Sequence, residues 1–221
     1  MRTLKLVIPV VLAGFAALRP SPALGQTRSP LARADVTGVV AVLGVENDAV
    51  APYVDDDWHS SFFGGLAAGW YWTDNLKTEL DFGAGTESQV YRSTPITIGG
   101  RSTYVSTQST ISQRTLGVSQ QYQFFRNVWF HPHVSGGVNV SWEDITDEIS
   151  PVVIYDPAAP PRQVEPGRRA GPRTETTVRP FIGTGFKAYF NQRGFFRTDI
   201  RFAFRSGLDE VLVRAGFGID F

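Results

Sequence analysis

Between Leu76 and Ala84 the chain reads LKTELDFGA, a strict alternation in which Leu76, Thr78, Leu80, Phe82 and Ala84 oppose Lys77, Glu79, Asp81 and Gly83. The stretch FFRTDIRFAFR repeats the pattern, with Phe196, Thr198, Ile200, Phe202 and Phe204 opposing Arg197, Asp199, Arg201, Ala203 and Arg205. Strand side chains point to opposite faces with period two, so each segment has one greasy face and one charged face. On a helix the same residues would scatter their charges around the whole surface. The fold must therefore give every strand an apolar neighbour on one side and a charge-tolerant one on the other.

Eight such segments are expected, at approximately 35–45, 60–72, 76–91, 103–125, 128–145, 175–191, 195–207 and 209–221. Their connections alternate in length. Thr73 to Asn75, Arg126–Asn127 and Asn191 to Gly194 are short; the stretches 46–59 and 150–173 are long and 92–102 is intermediate, and all three read as loops, 150–173 irregular because it is proline-rich. The connection at Gly207 to Asp209 is short and breaks the alternation. Aromatic residues crowd the short turns as WYW, YQFF, VWF, AYF and FF, and Phe221 falls at the same level. A second ring is expected from Tyr53, Trp58, Trp142 and Tyr104. Short turns at one end, long loops at the other and girdles of aromatic rings are the marks of a strand-built membrane span. The expected fold class is all-β: an eight-stranded, antiparallel, up-and-down transmembrane β-barrel. Hydrocarbon enforces closure, because every backbone N–H and C=O must pair within the protein. The Ser/Thr/Gln-rich run from Ser102 to Gln113 exceeds what a crossing needs and is expected to project outward as a polar hairpin.

The N-terminus is read separately. Arg2 and Lys5 precede the apolar run Leu6 to Leu18, and Ala23 and Gly25 are small residues before a cleavage point, the pattern of a signal peptide over 1–25. Residues 26–34 would then lead into a barrel over 35–221. Across the 221 residues, 21 basic side chains balance 21 acidic ones, so charge does not point to nucleic acid. There is no cysteine, which excludes disulfides and thiolate metal sites.

An eight-stranded barrel is only wide enough inside for its own side chains. The inward charges Lys77, Glu79, Asp81, Lys187, Arg197, Asp199, Arg201, Arg214 and Asp220 are expected to form a salt-bridged network filling the lumen, since buried charges must be paired. The alternative use of these groups is a narrow small-solute or ion channel. His131, His133 and Ser135 sit just after a short turn; an H-x-S pair resembles that of outer-membrane lipid A deacylases, but its place is at the wrong end and on the wrong face for attack on outer-leaflet lipid. The cluster Asp55 to His59 matches no defined calcium spacing. Gly167 to Arg173, GRRAGPR, is a basic stretch suited to anionic partners such as lipopolysaccharide phosphates.

The strand VTGVVAVLG, the strand FHPHVSGGVNVSW and the ending RAGFGIDF resemble the OmpA-type eight-stranded outer-membrane barrel proteins of Gram-negative bacteria. The resemblance covers Asp35 to Phe221. It implies a barrel-assembly signal formed by Arg214, Gly216, Ile219 and Phe221, with Ile219 aliphatic where an aromatic is commoner. It also implies placement in the outer membrane among lipid and lipopolysaccharide, with the barrel-assembly machinery as a partner during biogenesis. The expected function is non-enzymatic, structural or surface-interacting through the outer loops, with a monomer, no cofactor and no metal.

Overall fold

The computed structural model describes residues 33–46, 58–124, 129–156, 159–205 and 207–221. Its strands are β1 (Ala34–Glu46), β2 (Trp58–Tyr71), β3 (Leu76–Gly85), β4 (Ser88–Ile98), β5 (Arg101–Gln123), β6 (Phe130–Ile149), β7 (Val152–Asp156), β8 (Ala159–Glu165), β9 (Arg168–Tyr189), β10 (Gly194–Phe204) and β11 (Leu208–Asp220). Eight of these, β1, β2, β3, β5, β6, β9, β10 and β11, form an antiparallel ring. β3 pairs with β5 from Leu76↔Tyr122 to Ala84↔Arg114, and β1 closes the ring against β11 from Asp35↔Asp220 to Val45↔Glu210. The seam runs to the last residue, where Phe221 donates its N–H to Ala34 O at 2.9 Å and accepts from Arg33 N at 2.8 Å. Gly216 is required there: a Cβ would lie 2.2 Å from Gly38 O on the facing strand.

The ring's outer surface is apolar. Val40, Leu66, Leu80, Phe82, Val118, Val138, Val178, Ile182 and Phe217 are all exposed. A soluble monomer does not display so continuous an apolar belt; a barrel in lipid must. Trp70, Trp72, Tyr122, Phe124, Trp129, Phe190 and Phe221 surround the end where the short turns lie. Side-chain rings continue from strand to strand there: Phe130–Phe186 at 5.2 Å, Phe186–Phe196 at 6.2 Å and Phe196–Phe217 at 5.4 Å between centroids. The turns are tied by their own polar residues. Thr73 Oγ1 accepts from Leu76 N at 3.0 Å, and Asn191 Oδ1 accepts from Arg193 N at 2.9 Å.

Three expectations are corrected. The stretches 92–102 and 150–173 are largely strands. β4 and β5 meet as a hairpin at Gly99–Gly100, whose φ values of 59° and 77° suit a two-residue turn that only glycine enters freely. Prolines in 150–173 do not prevent pairing because they lie on edges: β8 pairs only with β7, and Pro172 falls beside a register shift between β9 and β6. Tyr104 is not in a rim girdle. It lies opposite Pro95, ten residues beyond Arg114 along β5, or about 33 Å at the strand rise. Tyr53 lies outside the described residues. Finally, Tyr71, Tyr189 and Phe195 do not face lipid; they turn into the lumen, as the hydrogen bonds below require.

Beyond the ring, β4, β5, β6 and the first half of β9 continue as a four-stranded sheet. From Arg114 to Arg101, thirteen steps at about 3.3 Å carry β5 roughly 43 Å past its last pairing with β3. The extension stands at the end opposite the short turns.

Candidate functional site

Period-two alternation sends one side chain in two into the ring, and these side chains stack in layers. Nearest the short turns, Asp35 of β1 accepts from Lys77 Nζ at 2.9 Å and Lys187 Nζ at 3.0 Å. Lys187 also donates to Asp220 Oδ1 at 2.6 Å and Tyr71 Oη at 2.9 Å, and lies 3.7 Å above the centre of the Phe195 ring. Tyr71 Oη donates to Asp35 at 2.8 Å, and Tyr189 Oη to Asp220 at 2.5 Å. This layer ties β1, β2, β3, β9, β10 and β11 through two ammoniums and two carboxylates.

The middle layer centres on Glu79, which meets four cations. Lys77 Nζ lies at 2.9 Å, Arg201 Nη2 at 3.1 Å and Arg214 Nη2 at 3.3 Å, and Arg197 Nη1 is in direct contact. Asp199 accepts from Arg214 Nε at 2.8 Å and pairs with Arg197 Nε at 3.1 Å, while Asp81 accepts from Arg201 Nη1 at 2.8 Å. Across both layers five carboxylates (Asp35, Glu79, Asp81, Asp199, Asp220) meet five cations (Lys77, Lys187, Arg197, Arg201, Arg214), so the charge of these two layers sums to zero. All nine sequence-read charges are buried. Asp35 was not among them, nor were Tyr71 and Tyr189 as lumen ligands.

Above the charges lies an apolar layer: Ala41, Leu43 and Val45 of β1 with Phe63 and Leu212. Phe181 joins it and stacks under the Arg201 guanidinium at 4.4 Å. A cavity of about 10 Å³ remains between Asp81, Arg201, Phe181 and Leu43, room for about one water. Toward the extension, Arg179 pairs with Glu143 at 3.4 Å and Glu210 at 3.7 Å. The wall made by β5 and β6 is neutral and small-featured, carrying Thr115, Ser119, Gln121, Ser135 and Asn139, which leaves space for the long arginines opposite.

His133 is buried in this wall; its two ring nitrogens and Ser135 Oγ make no hydrogen bond, so no relay joins them. His131 Nδ1 lies 3.3 Å from Gln123 Oε1. Among the described residues no group of three His, Asp or Glu could hold a metal ion; Asp55 to Asp57 lie outside them. In GRRAGPR, Arg173 contacts Asp147 and pairs with Glu175 at 3.1 Å, and Arg169 lies 4.0 Å from Glu148, so these two charges are met by β6 and by β9 itself. The Asp147 carboxyl is held below its ordinary 3.8 by the Ser109 hydroxyl, at 2.6 Å, and by Arg173. Of the ending, Arg214 faces the lumen, Gly216 sits in the seam, and Ile219 and Phe221 are exposed on the belt.

These features define a closed, antiparallel, eight-stranded barrel with an apolar exterior and a filled interior, the outer-membrane β-barrel fold. The solved structure of Neisserial surface protein A (NspA) matches with a TM-score of 0.52 at 10% identity, over 85% of this chain and 97% of that one. The outer membrane protein OprG from Pseudomonas aeruginosa matches with a TM-score of 0.51 at 15% identity, over 85% of this chain and 95% of that one. Both are eight-stranded outer-membrane barrels, and at these identities the likeness is one of fold. No family model and no curated protein matches the chain.

Proposed function

We propose that the protein is a non-enzymatic outer-membrane barrel whose interior is a structural plug and whose working surface is the sheet rising beyond the ring. The reading rests above all on the lumen: balanced ion pairs and an apolar layer lie in series, with about 10 Å³ of cavity between them. Moving a hydrated ion past them would break buried charge pairs and wet the Leu43–Phe63–Leu212 layer, each costing several kcal/mol. Against catalysis on lipid stands the position of His133 and Ser135, inside the ring and unlinked. In this reading residues 1–25 direct export and are cleaved. Arg214, Gly216, Ile219 and Phe221 are presented to the barrel-assembly machinery, and the folded monomer sits among lipid and lipopolysaccharide.

The test is recording from the refolded protein in planar bilayers. No large, steady conductance is expected; a stable porin-sized step would establish the channel alternative instead.

A further inference from the structure

The outer sheet has two edges with which no further strand pairs among the described residues, and they are built differently. β9 from Arg168 to Val178 pairs with β6 alone. That edge carries Arg168, Arg169, Pro172 and Arg173 and has a register shift beside it, the charges, proline and irregularity with which sheets discourage further pairing. The other edge, β4, pairs with β5 alone over an unbroken register from Ser88↔Ile111 to Ile98↔Arg101. It reads SQVYRSTPITI, rich in Val, Ile, Thr and Tyr, with Arg92 its one charge and Pro95 its one residue without an N–H.

We propose that the open edge of β4 is a β-augmentation site that receives an extended, acidic segment of another protein as an added strand. The backbone supplies the affinity, since an uncovered edge presents a row of unpaired donors and acceptors. The side chains supply the register: Val90, Ile96 and Ile98 are half-buried on one face, while Gln89, Tyr91 and Thr97 are exposed on the other. Charge selects the partner. From Ser88 to Gln113 the hairpin holds Arg92 and Arg101 and no acidic residue, although the whole chain is balanced at 21 against 21. Arg92 feels Asp147, but that carboxylate is already engaged by Ser109 and Arg173. The same positive charge disfavours a second copy of this chain, because two such hairpins would meet like to like. The inference deepens the surface-interaction reading above and rests on it.

The test uses the full-length refolded protein and a labelled synthetic peptide of about nine residues that alternates Glu or Thr with Val or Ile, long enough to pair along β4. Two control peptides are its alternately N-methylated form and its Lys-for-Glu form. The acidic peptide is expected to bind at least about tenfold more tightly than either, and to slow amide exchange at 88–98 but not at 168–178. Arg92→Glu combined with Arg101→Glu should reverse the preference toward the Lys form by about tenfold or more. No binding, equal binding of the N-methylated form, or protection at 168–178 overturns the proposal. Placement is read separately from Ser102→Cys, the protein's one thiol, with an impermeant maleimide on intact cells. Labelled cells without peptide binding sink the edge site alone; unlabelled cells sink the surface reading.

Discussion

Replacing Glu79 by Gln keeps the side chain's size and removes one charge from the centre of the lumen. The carboxylate touches Lys77, Arg197, Arg201 and Arg214, and all of these groups are buried, so water does not screen the loss. The two charged layers of the wild type hold five carboxylates against five cations; E79Q leaves four against five there, an uncompensated buried positive charge. Breaking a buried pair on one side destabilises by about 3–5 kcal/mol. Two or more orders of magnitude in the folded-to-unfolded ratio should follow. Adding Arg214→Gln restores the balance, so the double variant should be more stable than the sum of the two single losses by about 1–3 kcal/mol. The assay is urea unfolding in lipid vesicles, followed by tryptophan fluorescence and by the mobility difference between unheated and boiled protein on gels. An E79Q variant within about 1 kcal/mol of wild type would refute the reasoning, because it would mean that water reaches the network and screens it.

Other consequences are equally direct. Gly216→Val should abolish the heat-modifiable band, because its Cβ would meet Gly38 O at 2.2 Å, whereas Gly64→Ala, with nothing within 4 Å, should shift stability by no more than about 0.5 kcal/mol. Phe221→Ala should lower the amount assembled in cells while costing the refolded barrel no more than about 1 kcal/mol, since the ring is exposed; normal cellular levels would remove the residue from the assembly signal. Lys187→Met should cost about 3–5 kcal/mol by leaving Asp220 without a cation and taking from Asp35 one of its two ammoniums, read by the same urea titration. Asp147 has a depressed pKa, so its contribution is complete above the ordinary carboxylate value and is lost as pH falls through the lower folded one. Amide exchange at 143–149, corrected for intrinsic rate, should therefore be flat from about pH 7 to 5 and quicken below about pH 4, and Ser109→Ala should shrink that pH-dependent change.

The ring was legible because period two needs only one residue to set the phase of a whole strand. Once Leu80 faces lipid, Lys77, Glu79 and Asp81 must face inward. Asp35 is legible too, from charge and phase together. The nine inward charges comprise five cations and four carboxylates, which leaves one cation to be partnered; Asp35 shares the inward phase of Thr37, Val39 and Ala41. Tyr71, Tyr189 and Phe195 were assigned by nearness to a turn, when phase alone separates Tyr71 from Trp70 and Trp72. The outer sheet was harder. Much of its surface meets water, so Ser, Thr and Gln fall on either side and the alternation is weak. Its prolines signal breaks that an edge strand tolerates.

Lys187 holds carboxylates contributed by the first strand of the ring and the last, reaching 152 residues back to Asp35 and 33 forward to Asp220. Neither hairpin formation nor any run of neighbouring strands completes that grip; only meeting of the two ends does. An unclosed sheet therefore carries lumen charges whose partners are still absent, and hydrocarbon would punish their entry severely. The polar interior thus acts as a checkpoint in time, making entry into the bilayer favourable only for a chain that has found its own beginning.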